Sequence, residues 1–453
     1  MKIIQNPEQV INSSVISPGK RIYCSGNSAT PQVLLKYMSE NTSIKNVEML
    51  SVLLLGEIDE LFSEKTCARI THRVIFNGPQ SRRAVNNGWA KYQLLHLSDI
   101  PRQLRESLKP DMVFLSVSGP DNGGNYSLGT SVEAVLAAVQ TAKANNGIVI
   151  AERNAKMPFV LGTTIPEESI DYLVDSDYDL PLSPVNKPDD QAKKIAHLIA
   201  QLFIKDGSML QYGIGEVTEA VTDSIIEKGV KNLGIRTELF ADAMIKLVEK
   251  GVVTNKYSGD QFSIATLILS KSQAGYDWFD YNSSVQTRPS DRTNNILFIA
   301  RHPNMVAINS AIGVDLHGNI WADSLYAMQI YSGVGGQADF LRGAYLSNGG
   351  IPIIAMKSTT QEGLSKILDR CPEGITTTAI AADPVVIVTE QGAFDPRGLS
   401  ITEHAVGIAH LAEPETREKL LSHIFDSGVF HKPSKWFQRG KPKGFFPYEK
   451  LNS

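Results

Sequence analysis

The sequence predicts an α/β protein of two related open domains, each a mostly parallel sheet covered by helices, with the active site in the cleft between them. Three observations carry this expectation. Short apolar runs alternate with amphipathic stretches, the pattern of strands and their covering helices. The 453 residues exceed one ordinary core and suit two domains. A strand, a tight turn and a helix follow one another once in each half of the chain.

In the first half, RIYCSG (21–26) reads as a strand, SAT as a turn and PQVLLKYMSE as a helix with Pro31 in its first turn. VEMLSVLLLG (47–56), RVIFNG (73–78), MVFLSVS (112–118) and GIVIAE (147–152) read as buried strands. SVEAVLAAVQTAKANNG (131–147) is an Ala-rich helix ending on glycine. Two prolines and a charge cluster in SPVNKPDDQAKK (183–194) mark a boundary, which places an N-terminal domain at 1–186. The second domain, 187–430, opens with the helix DQAKKIAHLIAQLF, the strand and glycine turn SMLQYGIG (208–215), and the helix EVTEAVTDSIIEKG (216–229). An arm, 431–453, interleaves Lys432, Lys435, Arg439, Lys441 and Lys443 with Trp436, Phe437, Phe445, Phe446 and Tyr448. Exposed aromatics make poor free-tail composition, so the arm is expected to fold back on the C-terminal domain or on a second subunit of a homo-oligomer, a dimer.

Composition narrows the function classes. Apolar content of 42% and charged content of 20% describe a globular chain, and a net charge of −4 argues against a general nucleic-acid binder. The start MKIIQNPEQVINSS has no apolar signal core, and no run approaches a membrane span. Cys24, Cys67 and Cys371 are too few and too scattered for a disulfide framework or zinc spacing, which fits a reducing cytoplasm. His302, His317, His404 and His410 show no metal-site spacing either, so no metal is expected.

The segment LGIRTELFADAMIKLVEKGVVTN (233–255) stands out. Thr237 reads as an N-cap, with Glu238 in the first turn of a helix that ends at Gly251. A carboxylate there is ionised by the helix dipole and attacks a carbonyl without a general base. First-turn glutamates are common, so this pattern alone does not single out Glu238. GIGEV (213–217) fails the dinucleotide fingerprint because Thr218 replaces the third glycine; a backbone amide of this turn fits an oxyanion donor better. YSGVGGQADFLRGA (331–344) packs three glycines into four residues, a turn that brings backbone N–H groups close to an anion. SNGGIPIIAMKSTT (347–360) sets a glycine pair before a buried strand, and VVIVTEQGAFDPRGLSITEHA (385–405) carries Arg397 in a loop. Lys357 and Arg397 are cations that can pair with phosphates.

Taken together these segments resemble the acetyl-CoA hydrolase/transferase family, specifically class I acyl-CoA:carboxylate CoA-transferases of the 4-hydroxybutyrate and butyrate/acetate type. SGNSATPQVL, SGPDNGGNYSLGTSVEA, AERNAKMPFVLG, LQYGIGEVTEAV, YDWFDYNSSVQTRP and AINSAIGVDLHGNIWADS extend the likeness nearly end to end. The resemblance implies Glu238 as nucleophile, with oxyanion donors at Ile214 and Gly350 and substrate placement by Asn309. It implies CoA-contacting turns at Gly333, Gly335, Gly336 and Gln337, and at Glu390, Gly392 and Arg397. It departs at Arg236, where histidine is common, and at EVTEAV, which lacks a usual proline. The implied reaction exchanges CoA between short-chain carboxylic acids through a glutamyl-CoA thioester. Coenzyme A enters as part of a substrate, and no cofactor is called for. Acetate, butyrate, 4-hydroxybutyrate and a dicarboxylate such as succinate or itaconate remain open as acyl groups, as does hydrolysis by water in place of an acceptor acid.

Overall fold

The structure is a computed structural model describing residues 1–185, 187–326, 329–426 and 442–451. Its first sheet has eight strands, all pairing in parallel. Across the sheet they run Lys2–Ile4, Tyr172–Ser176, Ile148–Asn154, Met112–Val117, Arg21–Cys24, Val47–Ser51, Ile70–Val74 and Lys91–Tyr92. Alternate side chains enter two apolar layers, one on each face. Ile22, Met49 and Phe114 pack with Leu34 and Leu35 of the helix Gln32–Glu40. Tyr23, Leu50 and Val113 pack with Val135 and Val139 of the helix Val135–Ala144. Burial on both faces explains why these strands read as continuous apolar runs.

The second sheet orders Gly234–Ile235, Met209–Gln211, Met305–Asn309, Ile351–Ala355, Val386–Thr389, Gly392–Phe394 and Phe445–Pro447. The first five are parallel and the last two antiparallel. Its core takes Ile195, Ala196 and Ile199 from the helix Asp190–Phe203, and Ala29, Met157, Val160 and Leu180 from the first domain. Segments of the first domain outside its sheet therefore complete the core of the second sheet. The C-terminal ends of three neighbouring strands lead into Gly213–Gly215, Ser310–Ile312 and Met356–Lys357. In an open parallel sheet that edge is where ligands bind.

Several elements differ from the sequence reading. The Ala-rich helix starts at Val135 rather than at Ser131, because Glu133 adopts φ +26° and its carboxylate binds the Tyr23 hydroxyl at 2.7 Å. The strand expected at 73–78 spans Ile70–Val74, with Phe76–Gly78 turning away from its end. In the arm, Phe445–Pro447 adds an antiparallel edge strand against Gly392–Phe394, and Tyr448 packs against His197 and Lys194. Phe446 is 44% exposed within the chain. Trp436 and Phe437 lie outside the described residues. Among the described residues no helix is long and apolar enough to cross a membrane.

Candidate active site

Glu238 sits in a bend between the short strands Gly234–Ile235 and Leu239–Phe240, and not in a helix. The helix begins at Asp242, after Ala241 in extended geometry (φ −134°, ψ 171°). Thr237 is no N-cap: its hydroxyl donates to the Tyr212 and Leu239 carbonyls at 3.1 and 3.0 Å. Leu239–Phe240 pairs in parallel with Leu267–Ile268, and the Glu238 carbonyl accepts the Thr266 and Leu267 N–H groups. The backbone beneath the carboxylate is thus fixed from both sides.

The carboxylate is held by specific donors instead of a helix dipole. Asn294 Nδ2 donates to Oε2 at 2.8 Å, and the Gly336 N–H donates as well. Burial raises the Glu238 pKa above the ordinary carboxylate value, and the two donors partly offset it. Asn294 closes the turn after the helix Ser290–Thr293. Arg236 braces that turn: it is buried, donates to the Arg292 carbonyl at 2.8 Å and lies 3.2 Å from His302 Nε2. Burial lowers the Arg236 pKa to about 10, and burial with Arg236 lowers that of His302 to about 4. His302 is therefore a neutral structural neighbour.

Glu238 lines a cavity of about 790 Å³ with Phe76 of the first domain and Gln211, Ile214, Asn309, Ala311, Met356 and Lys366 of the second. The glycine turn forms one wall. A Cβ on Gly333 would lie 2.6 Å from the Phe76 ring, and Gly335 adopts φ +58°. A Cβ on Gly336 would strike both Asn294 Nδ2 and the Glu238 carboxylate. The anion this turn approaches is the protein's own glutamate.

Ile214, Asn309, Gly333, Gly335, Gly336, Gln337 and Lys357 all line the cavity. The Ile214 N–H has no protein acceptor among the described residues, Asn309 Nδ2 donates to Gln211 Oε1 at 3.0 Å, and Gln337 Nε2 donates to the Ser310 carbonyl at 2.7 Å. Lys357 is paired with Asp189 and Glu216, both at 2.7 Å.

Four other expectations are corrected. Gly350 lies at the N-terminal end of Ile351–Ala355, whose far end reaches the cavity, and its N–H donates to the Ser347 carbonyl at 2.9 Å. It is not placed to bind an oxyanion. Glu390 is buried away from the cavity and accepts the Ser358 N–H at 3.0 Å, fixing the loop after Lys357. Gly392 packs on Phe445, and Arg397 is tied to Asp395 at 2.9 Å. None of Glu390, Gly392 and Arg397 lines the cavity.

Sequence reasoning missed Asn294, Phe76 and Lys366. Asn294 stands 56 residues from Glu238 in a segment without a motif. The Lys366 ammonium makes no side-chain hydrogen bond or salt bridge among the described residues; its pKa is lowered by burial and then by Lys357, with the Glu390 carboxylate acting the other way.

Comparison with known proteins follows this geometry. Residues 2–183 match the acetyl-CoA hydrolase/transferase N-terminal domain, and residues 272–424 its C-terminal domain. The chain is 35% identical to the 4-hydroxybutyrate coenzyme A transferase of Clostridium kluyveri, over 85% of this chain and 90% of that one. It is 30% identical to the succinyl-CoA:acetate/propanoyl-CoA:succinate CoA transferase of Fasciola hepatica, over 91% and 86%. Among solved structures, RipA from Yersinia pestis superposes with a TM-score of 0.86 at 29% identity, covering 93% of this chain and 97% of that one. The 4-hydroxybutyrate CoA-transferase of Porphyromonas gingivalis gives 0.77 at 26% identity, with the same coverage.

Proposed function

The chain belongs to the acetyl-CoA hydrolase/transferase family, and from that premise we propose that it is an acyl-CoA:carboxylate CoA-transferase working through a glutamyl-CoA thioester on Glu238. The observation that supports this most is the Glu238 carboxylate, held by the Asn294 and Gly336 donors at the wall of an inter-domain cavity. In the ionised form it attacks the acyl-CoA carbonyl. The C–S bond breaks, leaving a glutamyl–acyl anhydride and CoA thiolate. The thiolate then attacks the glutamyl carbonyl, expelling the carboxylate and leaving glutamyl-CoA. An acceptor acid reverses the two steps. Each step passes through a tetrahedral oxyanion, for which the free Ile214 N–H is the donor best placed at the cavity wall; one such donor supplies on the order of 10²–10³ in rate. Because one thioester is exchanged for another, the scheme needs neither ATP nor a redox or metal cofactor.

The substrates in this reading are short-chain acyl-CoAs and carboxylates of the acetate, butyrate and 4-hydroxybutyrate kind. Lys366 in the cavity also admits a second carboxylate, so succinate belongs among the acceptors. A cytoplasmic homodimer completes the proposal, with mass by light scattering as its check. A panel of acyl-CoA donors and carboxylate acceptors, followed by mass spectrometry, tests the activity. New acyl-CoA species with ping-pong kinetics are expected. Rapid stoichiometric CoA release that no acceptor diverts overturns the transferase reading in favour of hydrolysis.

A further inference from the structure

Below Glu238 lies a second acid that the reaction scheme does not use. Asp339, in the first turn of the helix Gln337–Leu346, is 2% exposed. Ser98 of the first domain donates to it twice, from its hydroxyl to Oδ1 at 2.8 Å and from its N–H to Oδ2 at 3.3 Å. The neighbouring Leu97 N–H holds the Gly335 carbonyl at 3.0 Å, so one turn of the first domain clasps both the glycine turn and Asp339. Asn294, while donating to Glu238, also neighbours Asp339, where its amide acts to lower the Asp339 pKa. One side-chain amide therefore stands between two buried carboxyl groups.

We propose that Asp339 is a positioning residue that keeps a proton while Glu238 reacts, so that the pair carries one negative charge and that charge sits on the nucleophile. This rests on the reading of Glu238 as nucleophile. Two charges on either side of one amide in a closed site repel each other, and one proton removes the repulsion. Among the described residues no cation acts on Asp339 to support a second charge. The Leu97–Asp99 turn brings Ser98 to Asp339, while Asp99 is tied to Arg102. Asp291 of the neighbouring helix is paired with Arg105, and Arg342 of Asp339's own helix with Asp383. Burial, and then Arg342, lower the His96 pKa, while Asp99 acts the other way. Glu238 is the charged group that faces Asp339, and burial with this neighbour raises the Asp339 pKa to about 7. Once Glu238 is esterified its charge is gone, and Asp339 then ionises more readily.

The test uses the full-length protein labelled with carboxyl-¹³C aspartate, titrated by infrared spectroscopy. One protonated aspartate is expected at pH 6, ionising near neutrality, and Asp339→Asn removes that band. Asp339→Asn, an isostere of the neutral acid, should keep transfer within about threefold of wild type at pH 6 and lose the alkaline fall in kcat expected of the wild type. Absence of a protonated aspartate at pH 6 overturns the proposal, without needing any variant to fold. So does a loss of about 100-fold or more in a folded Asp339→Asn protein at pH 6, which indicates that the ionised form is required. A wild type that forms no covalent adduct at Glu238 instead sinks the nucleophile assignment, and the infrared titration still decides which acid holds the proton.

Discussion

Replacing Gly336 by alanine tests how tightly Glu238, the proposed nucleophile, is held. The added Cβ would lie under 3.0 Å from both Asn294 Nδ2 and Glu238 Oε2, where ordinary contact begins near 3.4 Å. The carboxylate has to retreat by about 1 Å, since overlap of this kind is relieved only by movement. Gly336 has φ −103°, which alanine adopts without strain, so the perturbation falls on the side chains and not on the fold. A misplacement of about 1 Å costs roughly 10²-fold in rate, about 2.7 kcal/mol of barrier. Steady-state CoA transfer should therefore fall about 100-fold, mostly in kcat, with the melting temperature nearly unchanged. Gly119→Ala is the control: its Cβ meets nothing within 4 Å, and activity should not change. A Gly336→Ala enzyme within about threefold of wild type refutes the claim that the glycine turn positions Glu238.

Three further outcomes follow from the same geometry. Asn294→Ala should lower kcat by about 10²-fold, because it removes the 2.8 Å donor on the nucleophile; unchanged kcat would separate Asn294 from catalysis. Stability should be greatest on the acid side and decline as pH rises from about 5 to 8, measured by urea unfolding. Glu133, Glu152 and Asp339 are buried with pKa values raised to about 7, so their neutral forms favour the fold below the unfolded carboxyl range and that advantage is lost through neutrality. A stability flat across this window contradicts the assignment. Deleting residues 442–453 removes the edge strand and should lower the melting temperature, with the partial burial of Phe445 contributing at most about 1.5–3 kcal/mol; an unchanged melting curve would count against it.

The sheet strands were legible because burial on both faces leaves continuous apolar runs such as Met112–Val117, and the helix Asp190–Phe203 was legible as the amphipathic stretch that follows the proline and charge boundary. Glu238 was legible only through the resemblance. Local pattern misled there, since Leu239 and Phe240 read as helical positions but pair as a strand with Leu267–Ile268. Thr237 looked like a cap because the type of residue does not reveal whether its hydroxyl accepts or donates. Gly350 was misjudged because a glycine pair before a strand does not say which strand end faces the ligand. In a parallel sheet the functional end is the other one. Asn294 and Asp339 could not be found in advance: each reaches Glu238 only through tertiary packing, and neither belongs to a spacing that chemistry requires.

The central claim is that Glu238 carries coenzyme A during turnover. Incubation with an acyl-CoA, reduction with borohydride and peptide mass spectrometry address it directly. The account predicts conversion of Glu238 to the corresponding alcohol, suppressed by excess acceptor carboxylate and absent in Glu238→Ala, which should retain its fold and bind CoA. Reduction at a different acid, or at none while transfer proceeds, contradicts it.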